Sequence, residues 1–180
     1  VLTQFFRQVL DVYVAGNMMF YFEEGDPSAC VAPDVFVVKK PDKKMRRTYK
    51  LWEEEQAPSV IFEITSRSTK FADSGNKHEL YERLGVREYF LFDPLSEYLK
   101  PSLQGFRLID GRYKAIQPNA DESLTSGELG LKLLREDLML RLIDAKTGKK
   151  LLMHDEVSAE LERLQAELVK LKRKQGNKDE

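Results

Sequence analysis

The chain of 180 residues has little sulfur chemistry, no long apolar run and almost no histidine. Its single cysteine, Cys30, leaves no intramolecular disulfide to form, which fits a reducing compartment and points to the cytoplasm. No apolar stretch approaches the ~20 residues a membrane helix needs, so no membrane partner is expected. Two histidines, His78 and His154, fall short of a zinc site. A basic excess is also missing. The formal net charge is -1 and the pI about 6.3, which argues against a general nucleic-acid coat protein. It does not exclude an enzyme acting on nucleic acid, because acidic metal ligands offset the basic residues that hold phosphates. Ser66 and Ser68 lack the glycine elbow of a serine hydrolase. There is no internal repeat and no low-complexity tract. The chain begins at Val1, so further sequence is expected before it, with room for a targeting segment.

What is present is a hydrophobic fraction of 42%, enough for one core of ordinary size plus an appendage. Phe5, Phe6, Val9 and Leu10 read as the end of an amphipathic helix. Strand-like runs follow at Val12–Val14 and Met18–Phe22, separated by the turn signal Gly16-Asn17. Residues 23–28 read as a loop. Pro33-Asp34-Val35-Phe36-Val37-Val38 reads as a strand opened by a proline, which needs no N–H there. Lys39–Lys50 is a basic loop holding Lys43, Lys44, Arg46 and Arg47, followed by Trp52 and Glu53–Glu55.

After Pro58 a strand runs Ser59–Thr65. Alternation puts Val60, Phe62 and Ile64 on one face and Ile61, Glu63 and Thr65 on the other. Ser74 fits an N-cap for a helix through Leu84, and Gly85 its C′ stop. Leu80, Tyr81 and Leu84 form the apolar stripe, and Lys77 lies on it. Glu88–Phe92 reads as a buried strand ended by Asp93-Pro94. Strand, helix and strand over residues 59–92 predict a parallel, right-handed crossover. The second half is β-rich, with runs near Phe106–Ile109, Tyr113–Ile116, Leu131–Leu134 and Leu138–Ile143. Val157, Leu161, Leu164, Leu168 and Leu171 alternate spacings of four and three, a short heptad seam.

Two carboxylates on neighbouring strands and a nearby lysine form a chemical kit. The carboxylates bind Mg²⁺ or Mn²⁺ and leave positions for water and a phosphate oxygen. The lysine orients or deprotonates that water, or offsets developing charge. Asp34 and Glu63 supply the carboxylates, and Lys77 the amine if its helix packs over the sheet. Each residue has a plainer reading. Asp34 could be a solvated turn residue, Glu63 could face solvent, and Lys77 could snorkel from the first helical turn. Arg46 and Arg47 could contact phosphates or sit in a solvated loop. His78, beside Lys77, is expected to be exposed.

Together, Pro33-Asp34-Val35-Phe36-Val37-Val38, Pro58-Ser59-Val60-Ile61-Phe62-Glu63-Ile64-Thr65-Ser66-Arg67-Ser68-Thr69, Lys77 with Tyr81, and Gly85-Val86-Arg87-Glu88-Tyr89-Phe90-Leu91-Phe92-Asp93-Pro94 resemble the Uma2 family, also called DUF820. This is a restriction-endonuclease-like group abundant in cyanobacteria. The resemblance covers most of residues 1–150. It implies a mixed α/β (α+β) fold of the PD-(D/E)XK nuclease superfamily, a central sheet flanked by helices. In that pattern Asp34 and Glu63 are the catalytic acids, and the carbonyl of Ile64 joins them as a metal ligand. The usual lysine two residues after the acid is replaced by Thr65. Lys77 is implied as its displaced substitute, with Asp73 positioned to hold its ammonium.

The expected organisation is a nuclease-like domain over 1–153 and a heptad helix with a frayed tail over 154–180. The expected activity is Mg²⁺-dependent hydrolysis of phosphodiester bonds in DNA rather than RNA. The alternative is a catalytically inactive binding or assembly module. A homodimer is the expected assembly, with the heptad helix as a candidate joint.

Overall fold

The structure, a computed structural model, describes residues 1–40, 44–66 and 75–176, with side chains described as far as 168. It divides into two compact units. One is Leu2–Lys150; the other is Leu151–Glu180, which takes in Val1.

The first unit is built on a mixed six-stranded sheet. Its strands are β1 (Val12–Gly16), β4 (Val35–Lys39), β6 (Val60–Ile64), β7 (Glu88–Phe92), β8 (Leu103–Ile109) and β9 (Arg112–Ala115), hydrogen-bonded in that order. β6 and β7 are parallel and every other neighbouring pair is antiparallel. The parallel pair is joined through α3 (Lys77–Arg83), the helix expected between them. Gly85 stands just past its end with φ 80°, the left-handed conformation a helix stop needs. The expected Ser74 cap lies outside the described residues.

Two small sheets flank this frame. β2 (Phe20–Tyr21) pairs antiparallel with β3 (Cys30–Val31) and parallel with β5 (Tyr49–Lys50), which leads into α2 (Leu51–Glu54). The strand runs on either side of Gly16-Asn17 therefore enter different sheets. The Asn17 N–H turns back instead to the carbonyls of Pro33 and Asp34, each at 3.2 Å. β10 (Leu124–Ser126), β11 (Leu131–Glu136) and β12 (Met139–Asp144) form an antiparallel meander. At the N-terminus the helix is α1 (Leu2–Phe5), which stops before Phe6, Val9 and Leu10, the residues expected to carry it on.

Both faces of β6 and β7 are covered, which explains their nearly continuous apolar runs. On one face Phe36, Val38, Ile61, Tyr89 and Leu91 pack with Tyr81 of α3 and with Phe20 and Tyr49 of the β2–β5 sheet. On the other, Phe62 stacks on Phe90 with ring centroids 5.3 Å apart. The buried Glu88 carboxylate there accepts hydrogen bonds from Arg107 Nε at 3.0 Å, the Gly127 N–H at 2.9 Å and the Ser126 hydroxyl. These bonds fasten the β10 region to β7.

The second unit consists mainly of one helix, α4 (His154–Gly176). Val157, Leu161, Leu164 and Leu168 are exposed along it.

Candidate active site

Glu63 is the fourth residue of β6 and is only 2% exposed. Alternation sends its side chain to the face that α3 covers. There Lys77 Nζ lies 3.0 Å from Oε1. The Tyr81 hydroxyl donates to the same oxygen at 2.8 Å. Lys77 and Tyr81 are four residues apart, so one helical face presents both. Helical spacing puts Tyr81 on the apolar stripe and says nothing of its hydroxyl. The available signal was its spacing of four from Lys77.

Asp34 stands immediately before β4. The β4–β6 register pairs Val35 with Phe62, and one step further sets Asp34 opposite Glu63. Residues opposite each other in an antiparallel pair share a sheet face. The Asp34 carboxylate accepts the Ile64 N–H at 2.6 Å, finishing the ladder with a side chain. Gly16 permits this end of the sheet to close. A Cβ there would stand 3.1 Å from the Asp34 carbonyl oxygen.

Ile64 is 49% exposed, unlike Val60 and Phe62 with which alternation grouped it, because β6 ends there. Thr65 is buried. Its N–H donates to the Phe92 carbonyl at 2.8 Å, while its Oγ1 has no hydrogen-bond partner among the described residues. Next along the sheet, the buried Asp93 carboxylate accepts the N–H groups of Leu95 at 3.1 Å, Tyr98 at 2.6 Å and Leu99 at 2.9 Å. Burial alone would push Asp93 up. Together with the Ser96 N–H, these N–H groups outweigh it and hold the carboxyl below its ordinary range. The loop after β7 is thereby pinned at the same end of the sheet as Glu63.

The donors near Glu63 suit a hard divalent ion. Two carboxylates and a backbone carbonyl at a strand end are oxygen ligands, and Mg²⁺ ordinarily completes such a set with water and phosphate. Among the described residues no group of three or more His, Cys, Asp or Glu side chains gathers to hold a metal ion. The orphaned Thr65 hydroxyl is a further oxygen on the Glu63 face.

Other candidates fall elsewhere. Arg46 is turned inward: its Nε and Nη2 grip Glu54 at 2.8 and 2.6 Å, and its guanidinium lies 4.7 Å over the Tyr13 ring. It is committed to the fold rather than offered to a phosphate. Arg47 is exposed, and Lys43 and Asp73 lie outside the described residues. His78 is half-buried, not exposed, with its ring edge-on to Phe106 at 4.7 Å and to Tyr113 at 5.1 Å. A groove of about 840 Å³ between β8 and the β11–β12 turn, lined in part by Lys100, Gln104, Leu124 and Arg135, contains none of Asp34, Glu63 or Lys77.

The family model named Uma2, described as "Putative restriction endonuclease", matches residues 1–141. The chain belongs to the Uma2 family. Among solved structures, it is similar to the crystal structure of a putative nuclease belonging to DUF820 from Anabaena variabilis ATCC 29413. The TM-score is 0.52 at 13% identity, over 71% of this chain and 66% of that one. At that identity the likeness is one of fold, and it agrees with the restriction-endonuclease-like sheet expected for a Uma2 chain. No curated protein matches. No helix among the described residues is long and apolar enough to cross a membrane.

Proposed function

We propose that this Uma2 chain is a divalent-metal-dependent phosphodiesterase that cuts nucleic acid, DNA rather than RNA. The observation that carries the reading is the 3.0 Å approach of Lys77 Nζ to Glu63 Oε1. It supports Lys77 as the amine that replaces the lysine lost at Thr65. The DNA preference rests on the description of the family.

Asp34, Glu63 and the carbonyl of Ile64 would hold Mg²⁺ or Mn²⁺. The bound ion would acidify a water and offset charge on the phosphate. Glu63 would do its part from a fixed rotamer, because Tyr81 bonds to it. Asp34 would be oriented by the Ile64 N–H. Lys77 would hold a hydrogen bond to the attacking water or take its proton.

Calorimetry with Mn²⁺ tests the reading directly. The intact chain is expected to bind, and Glu63→Ala to lose measurable binding. Equal heats from both proteins would remove Glu63 from the metal site. A mixed panel of DNA and RNA with Mg²⁺ or Mn²⁺, with Glu63→Ala as control, then tests cleavage and its preference. The second reading is a nuclease fold that binds without cutting, favoured by Thr65 at the usual lysine position. Metal binding with no cleavage of any substrate in the panel would support it.

The assembly we propose is a dimer of two copies joined through α4. Its apolar residues follow the heptad spacing that two like helices bury against each other.

A further inference from the structure

A carboxylate as deep as Glu63 is costly unless it is paired or hydrogen-bonded. Among the described residues, α3 brings Lys77 and Tyr81 to Oε1, and these two donors differ in kind. Tyr81 is fully buried, with its ring edge-on to Tyr89 at 5.1 Å, so its hydroxyl is fixed by packing. The Lys77 side chain is 18% exposed, against 3% for Glu63. Its flexible stem therefore keeps a path toward solvent. One donor is locked and the other can withdraw.

An ammonium 3.0 Å from Oε1 stands where a divalent ion bound to Glu63 would feel its full repulsion. We infer that Lys77 is the resident counter-ion of Glu63 in the metal-free protein and is displaced from Oε1 when a divalent ion binds, while Tyr81 holds the carboxylate in position through the exchange. This rests on the metal reading proposed above. Arrival of the ion and release of the amine then become one event. A catalytic amine is set free only when the metal it works with is in place. Tyr81 acts through Glu63 and is a positioning residue.

The inference predicts effects of opposite sign from neighbouring positions on one helix face. Mn²⁺ titrations would use the full chain and its Lys77→Met, Lys77→Gln, Lys77→Arg and Tyr81→Phe variants. Both neutral Lys77 variants are expected to bind Mn²⁺ at least about tenfold more tightly than the parent, because repulsion is relieved. Lys77→Arg keeps the charge and is expected to bind as the parent does. Tyr81→Phe keeps the ring but frees the carboxylate, and is expected to bind about tenfold more weakly. Without metal, Lys77→Met is expected to melt lower than the parent, and Mn²⁺ to raise its melting temperature by more than it raises the parent's.

If charge loss unfolds the metal-free variants, Mn²⁺ added on refolding is expected to restore them, and failure to do so would overturn the inference. Equal or weaker binding by both neutral variants, with the parent binding normally, would overturn it and leave the metal site standing. Unchanged binding by Tyr81→Phe would overturn the positioning role. A parent chain that binds no Mn²⁺ would bring down the metal reading and this inference together.

Discussion

At the scale of the residue, Glu63 and Arg46 are both charges withdrawn from solvent. Glu63 was legible as a candidate because an unpaired carboxylate between Phe62 and Ile64 would be costly if buried, though the sequence left open that it faced solvent. Arg46 was not, because its partner Glu54 sits eight residues away across a strand, and no periodicity links the two. The Arg46 hydrogen bonds hold the Glu54 carboxyl below its ordinary range, against the opposing effect of burial, with Lys44 adding to the lowering. A depressed carboxyl contributes stability that is present above its unfolded value, about 4.3, and is lost as pH falls through its folded value. Arg46→Ala is therefore expected to lower stability by roughly 3 kcal/mol near pH 7. The gap to the parent should narrow as pH falls below about 4. Urea midpoints from pH 7 down to pH 3 measure this. Two curves that stay parallel would show that the pair does not carry the linkage.

Elements were readable where a single pattern governed them. β6, α3 and β7 followed alternation, helical spacing and a glycine stop. Helix placement then brought Lys77 to Glu63, which spacing could only allow. The β10 strand escaped because Leu124-Thr125-Ser126 is short and mostly polar, and its place is fixed by Glu88 rather than by its own apolar residues. The separation of β1 from β2 into different sheets was also illegible, since a turn signal does not state which strands will pair. Sheet packing over β7 and β8 depends on one missing side chain. A Cβ at Gly105 would stand 2.7 and 2.8 Å from two Phe90 ring carbons and 3.1 Å from Leu124 Cδ1. Gly105→Ala is thus expected to destabilise the chain by about 1–3 kcal/mol through overpacking. Pairing it with Phe90→Leu should cost less than the sum of the two single changes, because the smaller side chain yields the space. Additive losses in urea unfolding would locate the strain elsewhere.

At the scale of the whole molecule, the candidate site and its supporting core belong to the Leu2–Lys150 unit. Every residue of that core cluster lies between Tyr13 and Tyr113. The expected boundary is 153/154, and the compact units divide between Lys150 and Leu151. α4 carries Asp155 and Glu156 in its first turn, where the helix dipole favours them. Dipole and propensity leave a lone helix only marginally stable in water. In the dimer proposed above, its exposed Val157, Leu161, Leu164 and Leu168 would be buried against the same seam on a second copy. A chain ending at Met153 is accordingly expected to melt within about 2 °C of the full chain in a monomeric concentration range, because only the nuclease-like unit is then being read. At higher concentrations the full chain should rise toward twice its monomer mass in light scattering, while the shortened chain stays at one. Leu161→Glu combined with Leu168→Glu should reproduce the effect of shortening, since two carboxylates per helix cannot be buried in the seam. Equal masses for the full and shortened chains over that range would remove α4 as the joint, and a lower melting temperature after shortening would show that the first unit leans on the helix after all.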